Sequence, residues 1–531
     1  MKIPNQLRRP ARTVRAHLHR GERHARTWLW HQWPAAWRGP HEVVGHFDTW
    51  SYLSELQRQV SDELGTARIE HVVLDAASPR APHIAIRATD ADRMLRALAG
   101  AAPARNWWAA RTHAGLVGHA RPLRRQRARG ADGLLIARNL LSSDGIPLTH
   151  SELGVFVEFW SVTDLPTPRP GGGELPPGAL IAPATNGVLD YIDTDQWQQV
   201  QGSGHRLPPS APHLLTMVEP IDLVYTWVDG ADPRWLDRKA QALGLPAAAR
   251  YSSDAAIEAR FANRDELRYS LRSVEMFASW ARRIWIVTDG QVPTWLKPDE
   301  RLTVVDHRDI FADPDALPVF NSHAIESQLH HIPGLAEHYL YLNDDMLFGA
   351  PVRPENFFNG VGVSKLFASR VAVIDPGPRT DDDLAVSAAA KNNREFLERE
   401  FGRTITHKLW HTPQPHIRSL MEQFEQTYPE LFDTVMRSRF RSVTDHALTS
   451  SLDAYYAAAH GKAAPSRIRY GYLDLGGRDS WKTLELWLRR RNSQCLCIND
   501  SGADDPALQL ANDKALREFF DSYYPVPSRW E

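Results

Sequence analysis

Three apolar runs in the middle of the chain each stop on a carboxylate. IDLVYTWVDG ends at Asp229, RRIWIVTDGQVPTWL carries Asp289, and HYLYLNDDMLFG carries Asn343, Asp344 and Asp345. Adjacent carboxylates repel each other and are tolerated best at a strand end with a cation beside them. Hard divalent ions take oxygen ligands, and Mg2+ binds one or two carboxylates together with substrate phosphates. A plain turn or helix cap is the bland alternative. Arg264, Arg268 and Arg272 recur at i, i+4 and i+8, one stripe of a helix predicted over 264–279. Like charges at that spacing are mildly unfavourable. A phosphate-bearing ligand relieves them, since Arg matches phosphate bidentately; pairing with Asp265, Glu266 or Glu275 does so equally. His416, in HTPQPHIRSLMEQ, falls just before or within the first turn of a helix, where an imidazole can serve as general base. With 23 histidines in the chain, one alone carries little weight.

The elements that must hold these groups follow from periodicity. IDLVYTWV, IWIVTD, LTVVDH and HYLYL lack alternation, as strands buried on both faces do. Asp232 and Pro233 suit an N-cap and first helical position. The helix of 264–279 buries Leu267, Leu271, Val274 and Ala278, and HAIESQLHHIPGL reads as helical up to Pro333. Strand-helix alternation predicts a Rossmann-like α/β fold, a mostly parallel sheet with helices on both faces. Ligands of such sheets bind beyond the carboxyl ends of the strands, where these acids lie. From about 380 the chain turns mostly helical, with CLCIND as a late strand.

At 531 residues, two or three domains are expected. We expect a basic arm over 1–45, a small N-terminal α/β domain of unknown role over 46–215, and a catalytic domain over 216–531. The arm carries seven arginines from Arg8 to Arg26 ahead of Trp28, Leu29, Trp30 and Trp33. It reads as a solvated tail, or as an arm touching an anionic membrane or a partner. In the second segment, 53–64 and 90–100 read as helices, with Asp90 as cap and Gly100 as stop. Residues 67–76, 83–89 and 154–164 read as strands, Ser78, Pro79 and Pro82 marking a turn. Residues 105–138 are rich in Arg, and 166–178 form a Pro/Gly-rich loop. Lys plus Arg (62) nearly cancels Asp plus Glu (64), so charge makes no case for a nucleic-acid partner, and none is expected. The 18 tryptophans suit a core or a sugar-binding surface. Cys495 and Cys497 are too few for a structural zinc site and too close along one strand for a disulfide. They read as small buried residues, in keeping with a reducing cytosol. No run approaches the roughly 18 apolar residues of a membrane span, and the N-terminus lacks a signal-like apolar core. A cytoplasmic location follows, with attachment to the inner membrane face left open.

IDLVYTWVDGADPRW, RFANRDELRYSLRSVEMFASWARRIWIVTDGQVPTWL, NSHAIESQLHHIPGLAEHYLYLNDDMLFG, HTPQPHIRSLMEQF and CINDSGADDP through YPVPSRWE together resemble the four regions of the Stealth proteins. That family includes bacterial capsule and exopolysaccharide phosphotransferases and the catalytic part of the animal N-acetylglucosamine-1-phosphotransferase. The resemblance covers about 221–531. It implies transfer of a sugar-1-phosphate from a nucleotide-diphosphate sugar to a glycan hydroxyl, with release of a nucleoside monophosphate. It implies a divalent cation, Mg2+ or Mn2+, held by Asp344, Asp345 and Asp500, the last beside Asn499. His416 is then the base, with Glu326, Arg441 and Asp445 as further catalytic groups. Asp229, Arg264, Arg268 and Asn343 contact the substrate; DSGADDPA departs from the family pattern at Asp504. The alternatives are a metal-dependent glycosyltransferase, which would release a nucleoside diphosphate, and a non-enzymatic glycan-binding or assembly protein. Sugar, nucleotide base, acceptor and oligomeric state are not readable from the residues.

Overall fold

The computed structural model describes residues 41–531 except 75–81, 115, 150–152, 170–171, 185–187, 208–212, 245–262 and 503–504. The arginine-rich arm, the Ser78–Pro79 turn, the first residues of RFANRD and Asp504 lie outside the described residues. Two compact units separate, with the boundary between His213 and Leu214.

The first unit is built on a nine-stranded mixed sheet. His71–Leu74, His83–Arg87 and Val155–Val162 lie side by side, followed by Gly133–Arg138, Trp107–His113 and Leu116–Pro122. A helix over Thr49–Thr66, capped by the Asp48 carboxylate, buries Leu53, Leu56, Val60 and Leu64. Two expectations fail here. The second helix spans Ala91–Arg105 and runs through Gly100, ending where Asn106 turns left-handed (φ 55°); Asp90 makes no side-chain cap. The Arg-rich stretch, for which the sequence suggests no element, supplies three strands. Its arginines are mostly exposed while Trp107, Trp108 and Leu134–Ala137 are buried, so the charge hides a buried inner face.

The second unit contains, in chain order, β1 (Ile221–Thr226), α1 (Pro233–Ala242), α2 (Glu266–Phe277), β2 (Ile284–Thr288), β3 (Leu302–Asp306), α3 (Ser322–Glu326), β4 (His338–Asn343) and β5 (Met346–Phe348). There follow α4 (Ala385–Phe401), β6 (Gln414–Ile417), α5 (Arg418–Thr427), α6 (Pro429–Met436), α7 (Asp453–Ala459), β7 (Tyr470–Asp474), β8 (Cys495–Asn499) and α8 (Pro506–Tyr523). The main sheet has five strands in the order β3-β2-β1-β4-β6. The first four are parallel and β6 runs antiparallel at the edge. This is the expected mostly parallel α/β sheet. Thr226 pairs with Asn343, so β1 and β4 end flush.

Helix α2 lies against the sheet: the Tyr225 hydroxyl meets Ser270 Oγ at 2.8 Å, and Ser270 Oγ donates to the Met346 carbonyl at 2.5 Å. Leu267, Leu271, Val274 and Ala278 are all buried, as the periodicity predicts. Asp232 caps α1 and Pro233 opens it. The helix predicted over 323–335 is instead the short α3 followed by a 3-10 turn, Leu329–His331. The helical stretch after His416 breaks at Tyr428, because Pro429 disfavours helical geometry in the residue before it. Phe396, Met421, Phe424, Phe432 and Tyr456 join α4 to α7 in one apolar cluster.

Candidate active site

Asn343 ends β4, and the chain turns at Asp344 and Asp345 into β5. β5 pairs with β8, and the Ile498 amide donates to the Asp345 carbonyl at 3.1 Å. This draws the last part of the chain onto the strand end. Asp500 follows directly after β8, and its carboxylate lies 2.7 Å from the Arg264 guanidinium. Glu266, the first residue of α2, completes a cluster of four acids. It is buried, with Oε2 accepting the Arg264 amide at 2.6 Å.

The electrostatics are those of carboxylates short of positive charge. Burial, then Asp345, pushes the Asp344 carboxyl up to about 7. Burial does the same at Asp345, aided by Glu266 and opposed by Cys497. Glu266 also rises to about 7, through burial and Asp344. Among the described residues, Asp345 Oδ1 is buried with no hydrogen-bond partner, and its Oδ2 has the Cys497 thiol at 3.5 Å. Such groups favour a cation or protons over further water loss. An all-carboxylate donor set suits a hard divalent ion. Cys497 therefore sits among the acids, which its reading as a small apolar residue did not include; burial drives its thiol well up.

On the other side of the strand end stands a second group. Glu326 is buried, and among the described residues its Oε2 has no hydrogen-bond partner. Tyr341 donates to Asn343 Oδ1 at 2.6 Å and lies 3.0 Å from Thr226 Oγ1. Its hydroxyl is held far above its ordinary value by burial and then by Glu326. Arg441 donates to Ser322 Oγ at 2.8 Å. His411 is open to solvent, yet the protein around it lowers its pKa. Desolvation dominates; Lys408 and Arg441 add to it and Glu326 opposes it. The His411 ring lies 6.1 Å from that of Tyr472, whose hydroxyl is pushed up to about 12 by burial, Cys497, Asp474 and Asp345. Tyr472 thus stands beside His411 and within electrostatic reach of Asp345.

His416 stands elsewhere. It lies on edge strand β6, two residues before α5, opposite Tyr339 and stacked on it at 5.1 Å. Tyr339 is four residues upstream of Asn343, roughly 13 Å along the strand at about 3.3 Å per residue. The ring is buried, and Nδ1 meets Asp453 Oδ2 at 2.5 Å. Asp445 is also buried, and protein donors hold its carboxylate. Asn321 Nδ2 (2.8 Å), Ser438 Oγ (2.6 Å) and the Ser442 amide (3.1 Å) all reach it. Burial alone would raise its pKa, but His323 at 3.6 Å and the hydrogen bonds from Ser438, Ser442 and Asn321 keep it low.

The arginine stripe also reads differently in three dimensions. Asp265 turns left-handed and α2 begins at Glu266, so Arg264 lies outside the helix. Arg264 pairs with Asp513 (2.7 Å) as well as Asp500, and Arg268 and Arg272 close on Glu531 at 2.5 and 2.6 Å. Those partners come from more than 200 residues away, beyond local pattern. Arg268 also lies over the Trp295 ring. Asp229 Oδ1 accepts the Ala231 amide, and Asp289 is paired with Arg238 at 2.7 Å. Glu266 and His411 are the site groups the sequence reading passed over. Glu266 was visible only as a pairing partner for arginine. His411 stood in the same quoted stretch as His416, five residues earlier.

The models of Stealth protein conserved regions 1, 2, 3 and 4 match residues 219–245, 260–366, 410–458 and 487–531. An exopolysaccharide phosphotransferase of Mycobacterium leprae, CpsY, is 37% identical over 389 residues, 72% of this chain and 68% of that one. The chain belongs to the Stealth family. Exopolysaccharide phosphotransferase SCO6023 of Streptomyces coelicolor is 50% identical over 313 residues, 59% of this chain and 52% of that protein. SCO2592 of the same organism is 38% identical over 488 residues, 89% of this chain and 50% of that protein. The chain thus spans about half the length of these two Stealth relatives. Among solved structures, galactosyltransferase LgtC matches at 12% identity and a TM-score of 0.29, over 58% of this chain and 98% of that one; at that level the likeness carries no argument. Among the described residues of this Stealth chain, no helix is long and apolar enough to cross a membrane.

Proposed function

We propose that the chain transfers a sugar-1-phosphate from a nucleotide-diphosphate sugar to a glycan hydroxyl, in exopolysaccharide or capsule synthesis. One observation carries the reading. All four Stealth regions match, and Glu266, Asp344, Asp345 and Asp500 from these regions cluster at the carboxyl end of β4. Asp344, Asp345 and Asp500 would hold a divalent cation, Mg2+ or Mn2+, with Glu266 behind them. Bound there, it supplies charge neutralisation on the diphosphate.

His411 is the base in this reading, in place of His416. Its lowered pKa keeps the ring neutral near pH 7, ready to take the proton of the acceptor hydroxyl as that oxygen attacks phosphorus. Glu326 faces the imidazolium that forms and stabilises it. Arg441 and Lys408 border the same space and suit the phosphate oxygens. Arg264 holds Asp500 in position, and Arg268 orders the segment ending at Glu531. Asp445 is a positioning residue: it ties down the Ser438–Ser442 turn that carries Arg441. His416, with Asp453, braces β6 against α7.

The test is incubation of the full chain with nucleotide sugars, Mg2+ or Mn2+ and glycan acceptors. Release of nucleoside monophosphate with a new phosphodiester is expected. Release of nucleoside diphosphate instead would reassign the site to glycosyl transfer.

A further inference from the structure

Outside that site, two adjacent histidines and one glutamate converge. His330 Nε2 and His331 Nε2, in the 3-10 turn after α3, each lie 2.8 Å from Glu425 Oε2 on α5. The His330 ring is fully buried, edge-on to Phe432, while His331 and Glu425 keep about a quarter of their side-chain surface open.

The hydrogen bonds constrain what sits between these atoms. His331 Nδ1 lies 3.0 Å from the Ile310 carbonyl, which can only accept, so that nitrogen carries the hydrogen. In a neutral ring Nε2 is then a bare lone pair facing a carboxylate oxygen at 2.8 Å. At 2.8 Å these two electron-rich atoms share a proton; a metal ion takes the place of that proton once they open to about 3.3 Å, the separation of two ligands on a tetrahedral Zn2+. An imidazole anchored through Nδ1–H to a backbone carbonyl, with Nε2 turned inward, is the arrangement of a metal-ligating histidine. His330 Nε2 is turned to the same carboxylate oxygen as His331 Nε2. Glu422 adds negative potential at both rings, although Arg418 shares its charge at 2.9 Å.

We propose that His330, His331 and Glu425 form a site for a Zn2+-class ion, distinct from the acid cluster and independent of the reaction proposed above. Two imidazoles and a carboxylate favour borderline metals over Mg2+. The open side left by His331 and Glu425 admits water as a fourth ligand. The ion would staple α5 to the turn that follows α3, a structural role.

The test uses the full chain after treatment with a chelator. Zn2+ is titrated against a chromophoric competitor in wild type, Glu425→Gln, His331→Ala and Asp345→Asn, with thermal melts alongside. Wild type and Asp345→Asn are expected to bind one equivalent that the other two variants bind at least about tenfold more weakly. Zn2+ should raise the wild-type melting temperature and leave that of Glu425→Gln unmoved. Co2+ in the wild type should show the visible absorption of a four-coordinate site. Equal Zn2+ binding by wild type and Glu425→Gln, or none by wild type at micromolar concentration, would overturn the proposal. Either result would leave a proton on His331 as the cation. Glu425→Gln keeps the shape of the site, so the comparison stands even if His331→Ala fails to fold.

Discussion

Asp222 and Asp345 are aspartates at opposite ends of the same pair of neighbouring strands, and the protein treats them in opposite ways. Asp222, at the start of β1, is fully buried. It accepts two hydrogen bonds from Arg282 (2.8 and 2.6 Å), one from Trp285 Nε1 and one from the Ala336 amide, both at 2.9 Å. Asp345, with Asp344 beside it, keeps one buried oxygen with no donor among the described residues, and both carboxyls rise to about 7. A saturated carboxylate is part of the scaffold. A carboxylate left short of positive charge, at the end where parallel strands present their ligands, is held ready for something the chain itself lacks. The same contrast separates the two histidines: His416 is enclosed and bonded to Asp453, whereas His411 opens to solvent.

The comparison can be broken at each of its members. The largest effect is expected at the unsatisfied end. Asp345→Asn should lower transfer by roughly a thousandfold or more, with a denaturation midpoint equal to or above wild type, since a buried unpaired charge is removed. A matching loss of stability would place Asp345 in the scaffold. Next comes the base. His411→Ala should cost about 10²- to 10⁴-fold in kcat while the fold is kept. His416→Ala should leave kcat per folded molecule within a few fold and lower stability instead, by about 1–3 kcal/mol. Reversed outcomes would return the base to His416.

Asp222→Asn should act on stability alone, lowering it by about 2–4 kcal/mol in urea unfolding, because Arg282 loses its partner. Transfer by the folded fraction should be unchanged. The smallest effect is in pH. His411 must be neutral to accept a proton, and its folded pKa lies below the ordinary imidazole value. The rising limb of kcat against pH should therefore fall below about 6.5 and vanish in His411→Ala. A limb centred above that value would point to another base.

Much of this was legible in the residues. Ile221–Thr226 and His338–Asn343 are strands buried on both faces, and an uninterrupted β-branched and aromatic run reports that locally. Asp344 and Asp345 sit at a strand end because the apolar run stops there. The burial of Leu267, Leu271 and Val274 likewise follows from helical spacing alone. Where local pattern misled, it was outweighed by a wider one. The arginines of 105–138 masked three strands, two of them largely buried, and Gly100 was carried through a helix that ends only at Asn106.

The rest depended on residues brought together from far apart. Nothing near Arg268 in the chain announces Glu531, because an ion pair across 263 positions exists only once the chain has returned. Glu266 joins the acids because α2 starts against the end of β4, and Asp500 because β8 pairs with β5. The sequence reading placed the base at His416 and passed over His411, five residues earlier in HTPQPH. The separation of the two came from β6: antiparallel pairing sets His416 opposite Tyr339, deep along the sheet, and so leaves His411 at the strand end. Periodicity within one segment determined the strands and their terminal acids. Register between segments, set by long-range pairing and packing, decided which side chains face one another across the site.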